Sequence, residues 1–358
     1  MPVSPDHQHA SGEIDIASLH AQDSTGLLDR IDRVVVWDIP LTTPFRGITR
    51  RDGVLLHGPG GWGEVAPFWD YGSEASAPWL ASGLCQALGN SLLPRYRETI
   101  SVNVTVPEIS AQDASDLVRA SGARTAKVKV SGSSDKRSAD LERLEAVRSA
   151  LGRSGKVRID VNGAWDLDTA RENLPLMDRA AGGLEYAEQP CATVYDLADL
   201  RRAVDVPIAA DESIRLSANP LEIVHRRAAD VAILKVAPLG GVHRALDMAE
   251  RLGLPAVVSS ALDTSVGIMA GATLAFSLPS LSHACGLGTT RLLTQDVADP
   301  SVRPSNGTLR LDAAAPVSER LLNEVKAGPY LTKHWQTRLL HLAGALHARR
   351  QREARDPS

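Results

Sequence analysis

The residues best suited to chemistry are charged side chains that interrupt apolar segments. Lys127 and Lys129 lie one residue apart in AKVKV, and three acids and a further lysine each lie near the end of another apolar run: Asp160, Glu188, Asp211 and Lys235. Side chains alternate along a strand, so Lys127 and Lys129 point to the same side. A single charge at a strand end is usually a solvated cap or half of an ion pair. Five successive charged strands need another explanation, because burying neighbouring charges is costly unless they pair or bind a metal.

The segments that carry these charges are typical of short strands. Each has four to six apolar or β-branched residues bounded by turn formers or charges, and residues 101–106, 256–261 and 283–289 share this pattern. Segments with helical periodicity, such as 141–151, lie between several of them. Strand and helix alternating eight times predict a parallel sheet closed into a barrel. The charged residues then fall at the strand ends, where such barrels carry their chemistry.

The three acids predict a metal site, and the lysines predict proton transfer. Converging carboxylates form an all-oxygen site that suits Mg²⁺ or Mn²⁺, whereas zinc prefers His or Cys. Such a site leaves room for a bidentate substrate carboxylate. Two neighbouring ammonium groups near a dication lower a lysine pKa towards the range of a general base. With Lys235 on the opposite side, the arrangement favours removal of a proton α to a carboxylate, with the metal holding the enediolate.

These residues also resemble a known family. The K-x-K motif, the three acids on the next three strands and the lysine on the sixth strand resemble the enolase superfamily, in the branch with lysines on both faces. Within it the chain is most similar to the o-succinylbenzoate synthases of the actinobacterial type, over roughly residues 30–310. The segments that carry the likeness are PFRGITRR, GWGEVAPF, RTAKVKV, EYAEQPC, PIAADESIR, LKVAPLGG, VVSSALDTSVGI and HACGLGT. The resemblance implies an α/β fold with a (β/α)7β (TIM-type) barrel and an α+β capping domain.

The resemblance also implies a role for each charged residue. The metal ion would be Mg²⁺, or Mn²⁺ in its place, and its ligands would be Asp160, Glu188 and Asp211. Lys129 would be the acid and base, and Lys235 would help to hold the enediolate from the opposite face. Lys127 would lower the pKa of Lys129 and help to bind the substrate carboxylate.

Further residues would surround this set. Asn162 and Glu212 would orient ligands and lysines. Hydroxyl and backbone donors to substrate oxygens, and cap-loop contacts to the substrate, would come from Ser259, Ser260, Gly286, Gly288, Arg46 and Phe68. For these six, a hydroxyl-lined turn, a tight loop, a surface arginine and a packed phenylalanine remain open as structural alternatives.

The activity implied by the resemblance is that of a lyase in menaquinone biosynthesis. 2-Succinyl-6-hydroxy-2,4-cyclohexadiene-1-carboxylate would lose water to give 2-succinylbenzoate, with Lys129 transferring the proton through a metal-stabilised enediolate. Racemisation of an N-acylamino acid or epimerisation of a dipeptide is the alternative, because it uses the same two lysines. A third hypothesis is a non-catalytic barrel that binds an acidic metabolite around a structural metal. Shared fold and lysines leave dehydration and racemisation unseparated.

The chain divides into five predicted regions. Residues 29–99 form the capping domain, 100–291 the catalytic barrel, and 292–330 the return to the cap. Residues 1–28 are polar and lack a continuous apolar stretch, which predicts a partly disordered extension and neither a signal peptide nor a membrane anchor. Residues 331–358 predict a solvated helix with a charged, frayed tail.

Composition and charge limit the classes of binding partner that the sequence predicts. A formal net charge of −4 and a pI near 6.2 provide no electrostatic case for nucleic acid or an anionic membrane. Three widely spaced cysteines form neither a disulfide framework nor a zinc motif, which fits a reducing cytoplasm. No P-loop or GxGxxG follows a strand. The expected partner is a small anionic carboxylate, bound by a monomer or homo-oligomer.

Overall fold

The computed structural model describes residues 12–310 and 316–355. Its N-terminal part is an antiparallel four-stranded sheet of order β1-β2-β3-β4, covered by a helix. The elements are β1 (Glu13–Ile14), α1 (Ile16–Gln22), β2 (Arg33–Phe45), β3 (Ile48–Gly58), β4 (Gly61–Val65) and α2 (Ser73–Ala87). The tight turn between β3 and β4 requires glycine, since Gly61 has a φ of +103° and a Cβ on Gly60 would lie 2.0 Å from the backbone nitrogen of Gly89.

A parallel sheet of seven strands follows, in the order β12-β11-β10-β9-β8-β7-β6. Helices connect its consecutive strands, and two short 3₁₀ helices lie at Ser134–Lys136 and Thr289–Leu292. The elements are β5 (Thr99–Ser101), β6 (Val104–Val106), α3 (Ala111–Ser121), β7 (Thr125–Lys129), α4 (Arg137–Leu151), β8 (Lys156–Asp160), α5 (Leu167–Ala181), β9 (Leu184–Glu188), α6 (Val194–Ala203), β10 (Ile208–Ala210), α7 (Glu212–Arg215), α8 (Glu222–His225), β11 (Val231–Lys235), α9 (Val236–Leu239), α10 (Val242–Leu252), β12 (Ala256–Ser259) and α11 (Ser265–Ser277).

The eighth strand position of the barrel is occupied by a short bridging segment rather than by a regular strand. Cys285 pairs in parallel with Val102, and Gly286 pairs in parallel with Ser259. The amide of Gly286 donates to the Val258 carbonyl at 2.8 Å. These bonds close the sheet, which confirms the predicted (β/α)7β barrel.

The interior of the barrel explains why charge collects at one end. Below the mouth, inward-facing apolar side chains form a buried cluster: Tyr186, Ala209, Val231, Ile233 and Val257. Arg158 is completely buried beside this cluster, with its guanidinium 4.7 Å from the centre of the Tyr186 ring and hydrogen bonds to Asn103 and to the Ala284 carbonyl. The outer faces of the strands pack against the helices in the largest core of the protein. The candidate lysines and acids lie at the carboxyl ends of the strands or within two residues of them.

The N-terminal segment differs from the sequence prediction. From residue 12 onward it belongs to the capping domain, because Glu13 pairs with Val35 of β2 and the side chains of Leu19 and Leu28 are completely buried. The predicted extension is therefore wrong for residues 12–28, and residues 1–11 lie outside the described residues. A few scattered apolar residues are enough to dock the segment, although they form no continuous run.

The C-terminal part bridges to β2 of the cap sheet at Leu293 and Lys326. Its elements are β13 (Thr308–Arg310), which pairs antiparallel with β5, α12 (Glu319–Val325) and α13 (Pro329–Arg355). The sequence predicts a solvated helix here, and that prediction is wrong for α13. Its apolar face is buried against α2 and the cap sheet through Trp335, Leu339, Leu342, Ala343 and Leu346. Within the described ranges, no helix is both long and apolar enough to span a membrane.

Burial of α13 predicts a stability effect. Leu342 is completely buried, so Leu342→Ala should lower the free energy of unfolding by about 2–5 kcal/mol through lost contacts and a cavity. The neighbouring exposed position provides the control, since His341→Ala should change it by less than about 0.5 kcal/mol. Urea denaturation measures both. Equal, small effects would mean that α13 is not part of the folded core.

Candidate active site

The register of the barrel brings the predicted charges together. Lys129 pairs with Asp160, and Asp160 pairs with Glu188, so the ends of β7, β8 and β9 are level. On the other side, Lys235 at the end of β11 pairs with Ser259 of β12. The acids and lysines thus form one ring at the barrel mouth.

Lys127 lies deepest among the lysines and joins two of the acids. Its Nζ donates to Asp160 Oδ2 at 2.9 Å and to Glu188 Oε1 at 3.0 Å. Burial alone would lower the pKa of Lys127, but the neighbouring Asp160 and Glu188 carboxylates raise it well above its ordinary value. Lys127 is therefore held as an ammonium ion that binds both carboxylates.

Lys129 is the candidate base. Its Nζ donates to Asp160 Oδ2 at 2.5 Å and to Asn162 Oδ1 at 2.6 Å. Burial lowers the pKa of Lys129 below its ordinary value, and the positive charge of Lys127 acts in the same direction against the pull of Asp160. The sequence predicts this direction from Lys127 and a metal, whereas here burial is the largest cause.

The opposite side of the mouth is organised by Asp211. Lys235 Nζ donates to Asp211 Oδ2 at 2.6 Å, and Arg215 Nε donates to Asp211 Oδ1 at 3.0 Å. Burial would raise the pKa of Asp211, but Arg215 and Lys235 lower it to about 2. Arg215 also donates to Glu212 Oε1 at 2.7 Å, so one guanidinium holds both acids of the DES segment.

The electrostatics of the three acids fit a hard divalent cation. Burial first, and then the negative charge of Asp160, raise the pKa of Glu188 to about 7. In the arrangement seen here ammonium groups separate the acids, and no three His, Cys, Asp or Glu side chains of the described residues are clustered closely enough to ligate one ion. The three acids are buried carboxylates on adjacent strand ends, and their negative charges repel one another. Mg²⁺ binds sets of carboxylates of this kind.

Asn162 links the candidate base, Lys129, to Glu212. Its backbone is left-handed, with a φ of +53°, which asparagine tolerates better than most residues. The side-chain oxygen accepts from Lys129, while Nδ2 donates to Glu212 Oε1 at 3.2 Å. Asn162 therefore links Lys129 to Glu212, and Glu212 is also held by Arg215.

One cavity contains most of the predicted site. Besides Lys127, Lys129, Asp160, Asn162 and Lys235, its lining includes the predicted Arg46, Phe68, Ser259, Ser260 and Gly286, together with Arg215. Glu188 and Asp211 lie behind the lysines that bind them and do not line it. Gly288 lines a neighbouring, largely apolar cavity of about 200 Å³ instead. The structure thus brings every predicted residue except Gly288 to this cavity or its immediate wall.

Two of these predicted contact residues, Ser260 and Gly286, also have a structural role. Ser260 Oγ donates to the Gly286 carbonyl at 2.8 Å and lies 2.7 Å from Thr289 Oγ1, so its hydroxyl is already engaged. A Cβ at Gly286 would lie 2.4 Å from Ser259 Oγ, which explains why glycine is needed there. Ser259 remains the better candidate for a hydroxyl donor to substrate.

Several residues at the seam between cap and barrel are absent from the sequence prediction. Arg51 is buried, donates to the Leu262 carbonyl and lies under the Phe68 ring at 4.2 Å. Glu64 accepts from the amides of Thr264 at 3.1 Å and Gly267 at 2.8 Å, which caps α11. The sequence signal that could have identified such a residue is a charge inside an apolar strand segment, as with Glu64 in GWGEV.

Comparisons with known proteins agree with this geometry. Residues 110–316 match the family described as enolase C-terminal domain-like, and residues 36–87 match the enolase N-terminal domain-like family. The o-succinylbenzoate synthase of Thermobifida fusca (strain YX) is 52% identical over 305 residues, 84% of this chain and 93% of that protein. The o-succinylbenzoate synthase of Mycobacterium ulcerans (strain Agy99) is 47% identical over 314 residues, 87% and 94% of the two chains.

The solved structures support the same fold. The substrate-liganded L-Ala-D/L-Glu epimerase of Bacillus subtilis superposes with a TM-score of 0.67 at 25% identity, covering 80% of this chain and 98% of its own. Proteins of the enolase superfamily use a divalent metal, typically Mg²⁺, in keeping with the carboxylates of the mouth. By sequence, domain composition and barrel geometry, the chain belongs to the o-succinylbenzoate synthase family of the enolase superfamily.

Proposed function

We propose that the chain catalyses the dehydration of 2-succinyl-6-hydroxy-2,4-cyclohexadiene-1-carboxylate to 2-succinylbenzoate, the o-succinylbenzoate synthase step of menaquinone biosynthesis. The observation that carries the proposal is the mouth itself: lysines on both sides of three buried carboxylates. It occurs in a chain that is 52% identical to an o-succinylbenzoate synthase. The catalytic unit is the barrel of residues 100–291, closed by a cap of residues 29–99 and 292–330, to which residues 12–28 and α13 are added.

Lys129 performs both proton transfers. Burial favours its neutral amine, and Asp160 and Asn162 fix the direction of its Nζ. The amine takes the proton α to the substrate carboxylate, and the electrons of that C–H bond form an enediolate. When the C–O bond at the hydroxyl-bearing carbon breaks, Lys129 as its conjugate acid protonates the departing hydroxide, so that water leaves and the ring becomes aromatic.

The other cations act through their charge. Lys235 lies against Asp211 on the opposite side of the cavity, where its positive charge stabilises the enediolate without transferring a proton. Lys127, paired with Asp160 and Glu188, contributes charge below the substrate carboxylate. The substrate is thus a small anionic carboxylate held between ammonium groups, under cap residues that include Arg46 and Phe68.

Asp160, Glu188 and Asp211 would hold the metal, with Mg²⁺ the preferred ion and Mn²⁺ able to replace it. When bound, the ion supplies positive charge beside the substrate carboxylate, which makes the α proton more acidic. The raised pKa of Glu188 supports this assignment, because burial first and then the charge of Asp160 raise it, and a cation beside both carboxylates would offset the two effects.

Racemisation of an N-acylamino acid or dipeptide is the second candidate. The observation in its favour is that Lys129 and Lys235 both line the cavity, so that a substrate between them has an amine on each face. The fold shared with an L-Ala-D/L-Glu epimerase fits this chemistry as a side activity.

The metal assignment predicts that EDTA abolishes dehydration and that Mg²⁺ or Mn²⁺ restores it. Asp160→Asn, Glu188→Gln and Asp211→Asn should each lower kcat/KM by a factor on the order of 10³ and weaken Mn²⁺ binding measured by electron paramagnetic resonance. The control is Asp168→Asn, whose side chain is exposed on α5. A variant that keeps full activity and Mn²⁺ binding would remove its residue from the ligand set.

The pH profile tests the base. Because the base form of Lys129 must be neutral and its pKa is lowered, kcat/KM should rise with pH through an apparent pKa below 10.5. Lys127→Met removes a positive neighbour and leaves Asp160 and Glu188 less neutralised, so both effects raise the Lys129 pKa. The ascending limb should move to higher pH by roughly one unit. Lys136→Met, which removes an exposed lysine, should leave it in place. An unmoved limb in Lys127→Met would mean that Lys127 does not tune Lys129.

Isotope exchange separates the two candidate reactions. If the wild-type protein racemises an N-acylamino acid, it should introduce deuterium from D₂O into that substrate whichever enantiomer is supplied. The Lys235→Ala variant should stop introducing deuterium when one enantiomer is supplied but not when the other is, because Lys129 can still remove the proton from the second enantiomer. Loss from both enantiomers alike would contradict the two-face arrangement, while no incorporation in wild type would restrict the chain to dehydration.

A further inference from the structure

The C-terminal helix contacts a loop that faces the cavity from the opposite side. Arg338 of α13 is buried, and its Nη2 donates to the Phe68 carbonyl at 2.7 Å and to the Tyr71 carbonyl at 3.3 Å. It also lies 3.4 Å from Ser76 Oγ. Residues 66–72, which link β4 to α2, form neither strand nor helix. The Phe68 carbonyl also accepts from the Tyr71 amide at 3.3 Å and the Tyr71 carbonyl from Ser76 Oγ at 3.3 Å, so Arg338 ties this turn to α13 from outside the loop.

Two tryptophans complete the contact. The Arg338 guanidinium lies 4.3 Å from the centre of the Trp69 ring system and 5.0 Å from that of Trp335. Trp69 belongs to the loop and Trp335 to α13, and both indole N–H groups donate to Asp52 Oδ2, at 2.8 and 2.6 Å. A buried cation is costly unless the protein solvates it, and here carbonyl oxygens and indole faces offset part of that cost, although Nη1 of Arg338 has no hydrogen-bond partner among the described residues.

The other side of the loop reaches the catalytic residues. Phe68 lines the cavity, and Tyr71 Oη accepts from Arg215 Nη1 at 2.9 Å. Arg215 in turn binds Asp211, the candidate metal ligand on β10. A continuous chain of contacts therefore runs from Arg338 through the loop to the mouth of the barrel.

We propose that α13 positions residues 66–72 over the substrate through Arg338 and Trp335. Arg338 is then a positioning residue for substrate binding, although it contacts neither the substrate nor the catalytic lysines. The inference rests on the proposed function in one respect, namely that the cavity under Phe68 is where the substrate binds. It assigns a role to the segment that composition alone predicts to be solvated.

Arg338→Met removes the donors and keeps most of the aliphatic stem. Because the loop contacts bound substrate in both the ground state and the transition state, KM should rise about tenfold while kcat changes less than about twofold. The affinity for the product 2-succinylbenzoate, measured by calorimetry, should fall by a similar factor. Arg338→Lys, which keeps the charge over the indoles, should recover part of the loss. Arg352→Met is the matched control, since it removes an exposed arginine of the same helix that pairs with Glu74 and should change neither constant.

A double-mutant cycle identifies the route of the effect. If Arg338 acts through the loop, Arg338→Met combined with Phe68→Ala should raise KM little more than Phe68→Ala alone. Multiplying effects would overturn the proposal, as would an Arg338→Met variant that behaves like Arg352→Met. Inactivity of the wild-type protein on the dehydration substrate would instead reject the proposed function, so the two failures are distinguishable.

A second variant covers the case in which Arg338→Met does not fold. Trp69→Phe removes one indole donor to Asp52 from the loop side, at a position that is about half exposed, and leaves the core of α13 intact. It should raise KM roughly threefold without lowering the melting temperature appreciably. An unchanged KM in the folded Trp69→Phe variant would contradict the proposal.

Discussion

The constraint on which the structure depends is the burial of three carboxylates side by side at the mouth of the barrel. Asp160, Glu188 and Asp211 are almost inaccessible to solvent, and each would be prohibitively costly there without a positive partner. Lysines and Arg215 supply that charge. The same burial favours the neutral form of Lys129, so one environment explains both the cluster of charges and the presence of a base within it.

The barrel provides the charges, but the cap determines the space above them. Arg51 fixes the carbonyl of Leu262 and supports Phe68, while Glu64 caps α11 from across the domain boundary. Both contacts hold the segment after β12 that lines the cavity. Because the two candidate reactions would use the same lysines, we expect the shape of this seam to favour one of them over the other.

The two chain ends are part of the cap rather than appendages. The segment from residue 12 adds a strand to the sheet, and α13 covers α2 and the sheet with a buried apolar face. The loop at 66–72 lies between this support and the cavity, contacted by Arg338 on one side and linked to Arg215 on the other. The stability of the cap and the position of cavity-lining residues such as Phe68 therefore depend on the same packing.

The clustering of the candidate catalytic residues was predictable from the sequence, because it follows from local rules: alternation places Lys127 and Lys129 on one side, and parallel strands end at one edge. A family resemblance added Asn162 and Glu212, whose spacing from the ligands is fixed by short turns. Three further features could be seen only in the folded chain: Ser260 is engaged by Gly286, Gly288 faces another cavity, and the apolar face of α13 is buried. These outcomes depend on contacts between segments far apart in the chain, such as Arg338 with Phe68, and no local pattern encodes which distant surface a helix or loop will meet.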